Sequence, residues 1–199
     1  MLRLAGAFAV GVTVAVAAQA AAEGDWPCIQ HKVGEISAAQ VWDGPPLESS
    51  EPWREDAGVA ALAAELAQRR LPLEEASDRI ERFAARAGSE REAKLTTLFA
   101  RVLDRLNAER GRLVAGIERY ARKQRELAER IKATALAIPV RRADSSGSGP
   151  SVSELEEQLR WDTRIYDERE AALGSVCESP VLIEQRAFAL AREIRSRLD

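Results

Sequence analysis

Methionine and histidine occur once each in these 199 residues, as Met1 and His31, and cysteine only twice, as Cys28 and Cys177. That scarcity closes off most metal chemistry. Covalent haem needs a C-x-x-C-H run, blue copper needs two histidines with a cysteine, and zinc hydrolases need two or three clustered histidine or cysteine ligands. A lone His31 reads as a solvated loop residue. The nucleophile elbow G-x-S-x-G, the H-E-x-x-H helix and phosphate-binding glycine loops are missing too. Carboxylates are abundant, but acid/base work needs two of them converging in a cleft with separated pKa values, which spacing along a helix does not supply. No catalytic residue, metal ligand or cofactor is therefore assigned, and the chain reads as a non-enzyme.

The charge is equally uninformative about polyanions. Lys and Arg number 29 against 32 Asp and Glu, a net −3 with both signs interspersed, so no basic excess points to nucleic acid.

What is present begins with an export signal. Arg3 supplies a positive start, Leu4 to Ala18 is apolar and uncharged, and Ala20-Ala21-Ala22 before Glu23 forms an A-x-A-like cleavage site. Leu2, Leu4 and Phe8 are the only large apolar residues there besides valine. Such an Ala, Val and Gly stretch falls short of the roughly 20 strongly apolar residues of a spanning helix, so no stable membrane insertion is expected once residues 1–22 are removed. Cys28 follows Asp25-Trp26-Pro27, which is no lipid-attachment site. An Ala- and Arg-rich composition fits a high-GC bacterial genome and makes the compartment a periplasm. In such an oxidising space Cys28 and Cys177 are expected to pair.

Along the mature chain an irregular arm, residues 23–52, carries Pro27, Gly34, Gly44, Pro45, Pro46 and Pro52 and no sustained period. A helical bundle domain follows over 53–199. Helix one is expected from Pro52, capped by Ser50, to about Arg70. Helix two spans Pro72 to Ala87, with Leu73, Ala76, Ile80 and Phe83 at alternating steps of three and four, and Gly88 ends it. Ser89-Glu90-Arg91-Glu92 looks like a capping box opening helix three, and no proline follows until Pro139. Phe99, Leu106, Leu113, Tyr120 and Leu127 recur every seven residues beside Leu103, Ile117 and Ile131, so helix three must lie lengthwise against a partner helix. Gly111 and Gly116 interrupt it, either for close backbone approach or for a bend.

The tip, about 140–152, is small and flexible in composition. A second capping box, Ser153-Glu154-Leu155-Glu156, then opens helix four, with an inward stripe of Leu155, Leu159, Asp162, Tyr166, Arg169, Leu173 and Val176. Ser179-Pro180 is expected to open a separate helix five with Ile183, Ala187, Leu190, Ile194 and Leu198 on its apolar face. The fold class is all-α: a bundle whose one very long helix forms an antiparallel hairpin, with the arm tied down by the disulfide.

Two features carry candidate function. Trp26, Trp42 and Trp53 cluster in or beside the arm, where amphipathic rings suit anchoring to a partner protein or a sugar polymer. A charged girdle on helix three, Glu118, Arg119, Arg122, Lys123, Arg125, Glu126, Glu129 and Arg130, faces Trp161 to Arg169 on helix four. Export signal, single domain and long helical hairpin together resemble the small helical stress chaperones of the bacterial periplasm. That resemblance is architectural: of their L-T-x-x-Q signature, Leu95-Thr96-Thr97-Leu98-Phe99 matches the first two positions only. The expectation is a periplasmic, non-enzymatic protein that binds or scaffolds another envelope protein. Its alternatives are a stress chaperone or scavenger and a peptidoglycan- or glycan-associated module, with homo-oligomers left open.

Overall fold

The computed structural model describes residues 26–47, 56–144 and 149–198. The export segment, Ser50, Pro52 and Trp53, and the tip serines Ser145, Ser146 and Ser148 lie outside the described residues.

The elements in chain order are α1 (Ala38–Val41), a single turn in the arm, then α2 (Ala57–Leu66), α3 (Leu73–Ala87), α4 (Arg91–Ala143) and α5 (Val152–Arg195). Among the described residues there is no strand. Asp56 starts α2 by accepting a hydrogen bond from the Val59 amide at 2.9 Å, a carboxylate at the positive end of the helix. The helix stops at Leu66, short of the expected Arg70. Arg186, reaching over from α5, takes the Leu66 carbonyl through Nε at 2.8 Å and the Leu71 carbonyl through Nη1 at 2.9 Å, so tertiary contacts cap this end. Gly88, at φ +56°, ends α3 in a conformation that side chains disfavour.

Neither expected capping box forms as read. Glu90 pairs with Lys94 at 2.9 Å, and a 3-10 turn over Gly88–Glu90 leads straight into α4. At α5 the box is Ser151 with Glu154: Ser151-Val152-Ser153-Glu154 has the same S-x-x-E spacing, and starting there adds half a turn of helix. Glu154 is held below the ordinary carboxylate range by the backbone hydrogen bond from Ser151.

Both prolines were expected at helix ends, and both lie inside helices. α4 continues past Pro139 to Ala143, and the expected helices four and five are one helix running through Pro180. A proline inside a helix costs about 3 kcal/mol through a lost hydrogen bond and a clash. The apolar stripe of α5 resumes in phase beyond Pro180 at Ile183, Ala187, Leu190 and Ile194, all at most 1% exposed, and that burial outweighs the local loss.

α4 and α5 pack lengthwise, and at one end α2 lies on α4 while α3 touches both. This base holds the core: Leu95, Leu98, Phe99, Val102, Leu103 and Leu106 of α4 meet Ile183 to Ile194 of α5, with Val59, Leu66 and Ile80 covering them. Beyond Leu106 the helical layers end and the two helices continue as a hairpin, joined at first by the arm, whose seam is thinner, with Val114, Ile117, Ala121 and Leu127 buried on α4. Leu113, Tyr120 and Ile131 are only half-buried, because a two-helix seam covers a narrower stripe than a bundle does. Of the expected α5 stripe, Leu155 and Asp162 are buried, while Arg169 is exposed.

Cys28 and Cys177 form a disulfide, Cα atoms 5.6 Å apart and 149 residues apart in sequence. In the chain-entropy model a closed loop of that length stabilises the fold by about 5 kcal/mol.

Candidate functional site

The arm is fastened at successive points. Trp26 donates through Nε1 to the Gln30 carbonyl at 2.6 Å, next to the disulfide. Lys32 pairs with Glu118, and Arg110 donates to the Val33 carbonyl. Asn107 accepts from the Ile36 amide at 2.8 Å and donates to the Ile36 carbonyl at 3.1 Å, while Ile36 and Val41 enter the core. Trp42 stacks on Phe99, ring centroids 4.3 Å apart, and donates to the Pro45 carbonyl at 2.8 Å. The chain then turns at Gly44 so closely that a Cβ there would lie 2.3 Å from the Trp42 ring. Trp26 and Trp42 thus have internal partners, and Trp53 lies outside the described residues. His31 is exposed.

On the hairpin, the girdle residues meet at fewer points than the sequence suggested. Arg130 forks onto Asp162 with Nε–Oδ2 2.8 Å and Nη2–Oδ1 2.9 Å. Hydrogen bonding from Arg130 holds the Asp162 carboxyl below its ordinary range, overcoming the opposing effect of burial. Buried Asp162 thus forms a polar layer with Arg130 on the otherwise mostly apolar stripe. Arg169 accepts through its carbonyl from the Tyr120 hydroxyl at 2.7 Å; burial raises the Tyr120 pKa, and the Arg169 charge works against that rise. Gln124 donates to the Tyr166 carbonyl at 2.9 Å, and Arg142 pairs with Glu156 at 2.9 Å near the tip.

The hairpin is also split by charge. From Arg119 to Ala143, α4 carries eight Arg and Lys against two Glu; from Val152 to Glu170, α5 carries seven Asp and Glu against three Arg. Its outer surface leaves Trp161 62% exposed, Leu136 63% and Val140 69%. Trp161 sits in a shallow hollow of about 590 Å³ with Glu157, Arg160 and Arg164.

Two buried cations escaped the sequence reading. Arg110 and Arg186 are 5% and 8% exposed, and each falls on an apolar stripe: Arg110 four residues after Leu106, Arg186 three after Ile183. A charge in phase with such a stripe was the available signal. Burial lowers the Arg186 pKa, with Glu109 pulling the other way, and its two carbonyl partners show that it holds the loop between α2 and α3. Beside it, Arg69, Leu71, Leu73, Leu182 and Gln185 line a hollow of about 400 Å³. Among the described residues no three of His, Cys, Asp and Glu gather to hold a metal ion, and no helix is long and apolar enough to cross a membrane.

The disulfide is the mark of a non-reducing, exported environment. No family model, no curated protein and no solved structure matches this chain.

Proposed function

We propose that the mature chain is a non-enzymatic helical protein of the bacterial periplasm that binds or scaffolds another envelope protein through the outer half of its hairpin. The observation that carries this reading is the exposure of Trp161, Leu136 and Val140 on a two-helix arm projecting beyond the core. Interfaces are anchored by a few aromatic and large apolar side chains, and a tryptophan left in water on a rigid helix is pre-arranged for that role. The charge split between α4 and α5 supports an oriented encounter, a basic edge and an acidic edge selecting how a partner lies. Export rests on the sequence signal of residues 1–22 together with the oxidised cysteine pair.

The test is recovery of partners from envelope extracts by the tagged mature protein, read by mass spectrometry against Trp161→Ala and Trp42→Ala variants matched for folding. A stoichiometric partner lost with Trp161→Ala and kept with Trp42→Ala supports the hairpin as the working surface. Loss with Trp42→Ala alone moves function to the arm, and unchanged recovery with both removes the tryptophans from it. A broad set of unfolded clients, held by the same exposed apolar side chains, is the signature of the chaperone reading.

A further inference from the structure

Helical glycines need a reason, because glycine weakens a helix interior. Gly111 and Gly116 of α4 and Gly174 of α5 are not there for close packing. A Cβ at Gly111 or Gly174 would meet nothing within 4 Å, and at Gly116 its nearest neighbour would be the Arg119 guanidinium at 3.8 Å. Of the two explanations the sequence allowed, close approach is removed and a bend remains.

All three lie at one level of the molecule. On the base side that level is bounded by the approach of Arg110 to Glu184 at 4.0 Å, and on the hairpin side by the Tyr120–Arg169 hydrogen bond at 2.7 Å. Between these cross-contacts fall Gly111 and Gly116 on one helix and Gly174, Cys177 and Pro180 on the other. Pro180 has no amide hydrogen, so the Val176 carbonyl lacks its helical donor here. The main core cluster ends at Leu106 on α4 and begins at Ile183 on α5, and between them a narrow seam of Val114, Ile117 and Cys177 stays buried.

The N-terminal arm crosses this weak level from one side to the other. Its base end is fixed by Ile36 on Asn107 and by Val33 on Arg110. Its far end is fixed beyond Gly116 by Lys32 on Glu118, and between Gly174 and Pro180 by Cys28 on Cys177. We propose that the level of Gly111, Gly116, Gly174 and Pro180 is a hinge between base and hairpin, and that the arm is a strap, bolted by the disulfide, which holds that hinge closed. The direction in which the hairpin points is then set by the strap, and cutting the Cys28–Cys177 bond frees it while the base stays folded.

Amide hydrogen exchange on the mature protein tests this. In a Cys28→Ser/Cys177→Ser variant, amides of 108–118 and 172–184 should exchange at least about tenfold faster than in the oxidised protein, while those of 95–106 and 186–194 stay within about twofold. Uniform acceleration, which would make the disulfide a general staple, or no local change, overturns the proposal. A Gly111→Ala/Gly116→Ala/Gly174→Ala variant with the disulfide intact decides the matter independently if the cysteine variant does not fold. It should slow exchange in the same two windows relative to the base; slowing spread evenly along α4 and α5, or none, refutes a hinge.

Discussion

Truncating a leucine should be expensive in the base and cheap in the hairpin, although the heptad places both on one stripe. Leu106 is fully buried, walled by α5, by the α2 layer and by its own helix neighbours. Leu127 is 2% exposed, but its walls are one facing helix and the flanking side chains of a bare pair. Removing three carbons costs about 2.4 kcal/mol in lost transfer energy at about 0.8 kcal/mol each. At Leu106 the rigid surroundings keep a cavity open, so Leu106→Ala should approach the upper end of the measured range, about 4 to 5 kcal/mol. At Leu127 two helices can close together, so Leu127→Ala should remain near the bare transfer value of about 2.4 kcal/mol. Half-buried Leu113 should lose less, about 1 kcal/mol. Urea unfolding followed by circular dichroism measures this as midpoint shifts at an unchanged slope. A Leu127→Ala loss equal to that of Leu106→Ala would refute the reasoning and mean that the hairpin is covered in solution, by a second copy for instance.

Three further outcomes follow from particular contacts. Asp162 has its pKa lowered by Arg130, so the stability this pair contributes is present above the ordinary carboxylate range and lost as pH falls through the lowered value. The difference in urea midpoint between wild type and Arg130→Gln should therefore shrink below about pH 4, and a difference constant down to acid unfolding would contradict it. Arg186→Met strips the Leu66 and Leu71 carbonyls of their donor and should lower stability by about 2 to 3 kcal/mol, with Lys a poor substitute because it lacks the planar fork; a melting temperature unchanged by either variant would count against the cap. Protein collected from the periplasm should begin near Glu23 and weigh less than its reduced form by the two hydrogens lost to the disulfide, and two thiols alkylated without reduction would disprove the pairing.

Local pattern and tertiary packing divide this protein between them. The seven-residue recurrence from Phe99 to Leu127 demands a lengthwise partner, the small Ser/Gly tip makes the next helix that partner, and two cysteines in an otherwise cysteine-free chain have only each other. Those features are legible because each is a matter of spacing or counting within the chain. Helix ends were not. α2 stops at Leu66, where an arginine 120 residues away takes its last carbonyl, and Ser151 outcompetes Ser153 as a cap because, at the same spacing, starting there adds half a turn of helix. Pro180 reads locally as a break, yet Cys177 and Ile183 on its two sides are buried against one continuous α4, so the helix runs through. The candidate surface divided in the same way. Sequence could group Trp26, Trp42 and Trp53 by proximity along the chain; only packing decides that Trp42 lies on Phe99 while Trp161, in a run of charges, stands in solvent. The sequence alone determined that the long helix needs a lengthwise partner, because periodicity is a property of one helix. Which side chains find a partner, which carbonyls are capped and where the core ends were settled only in three dimensions, because each depends on what another part of the chain brings to the same place.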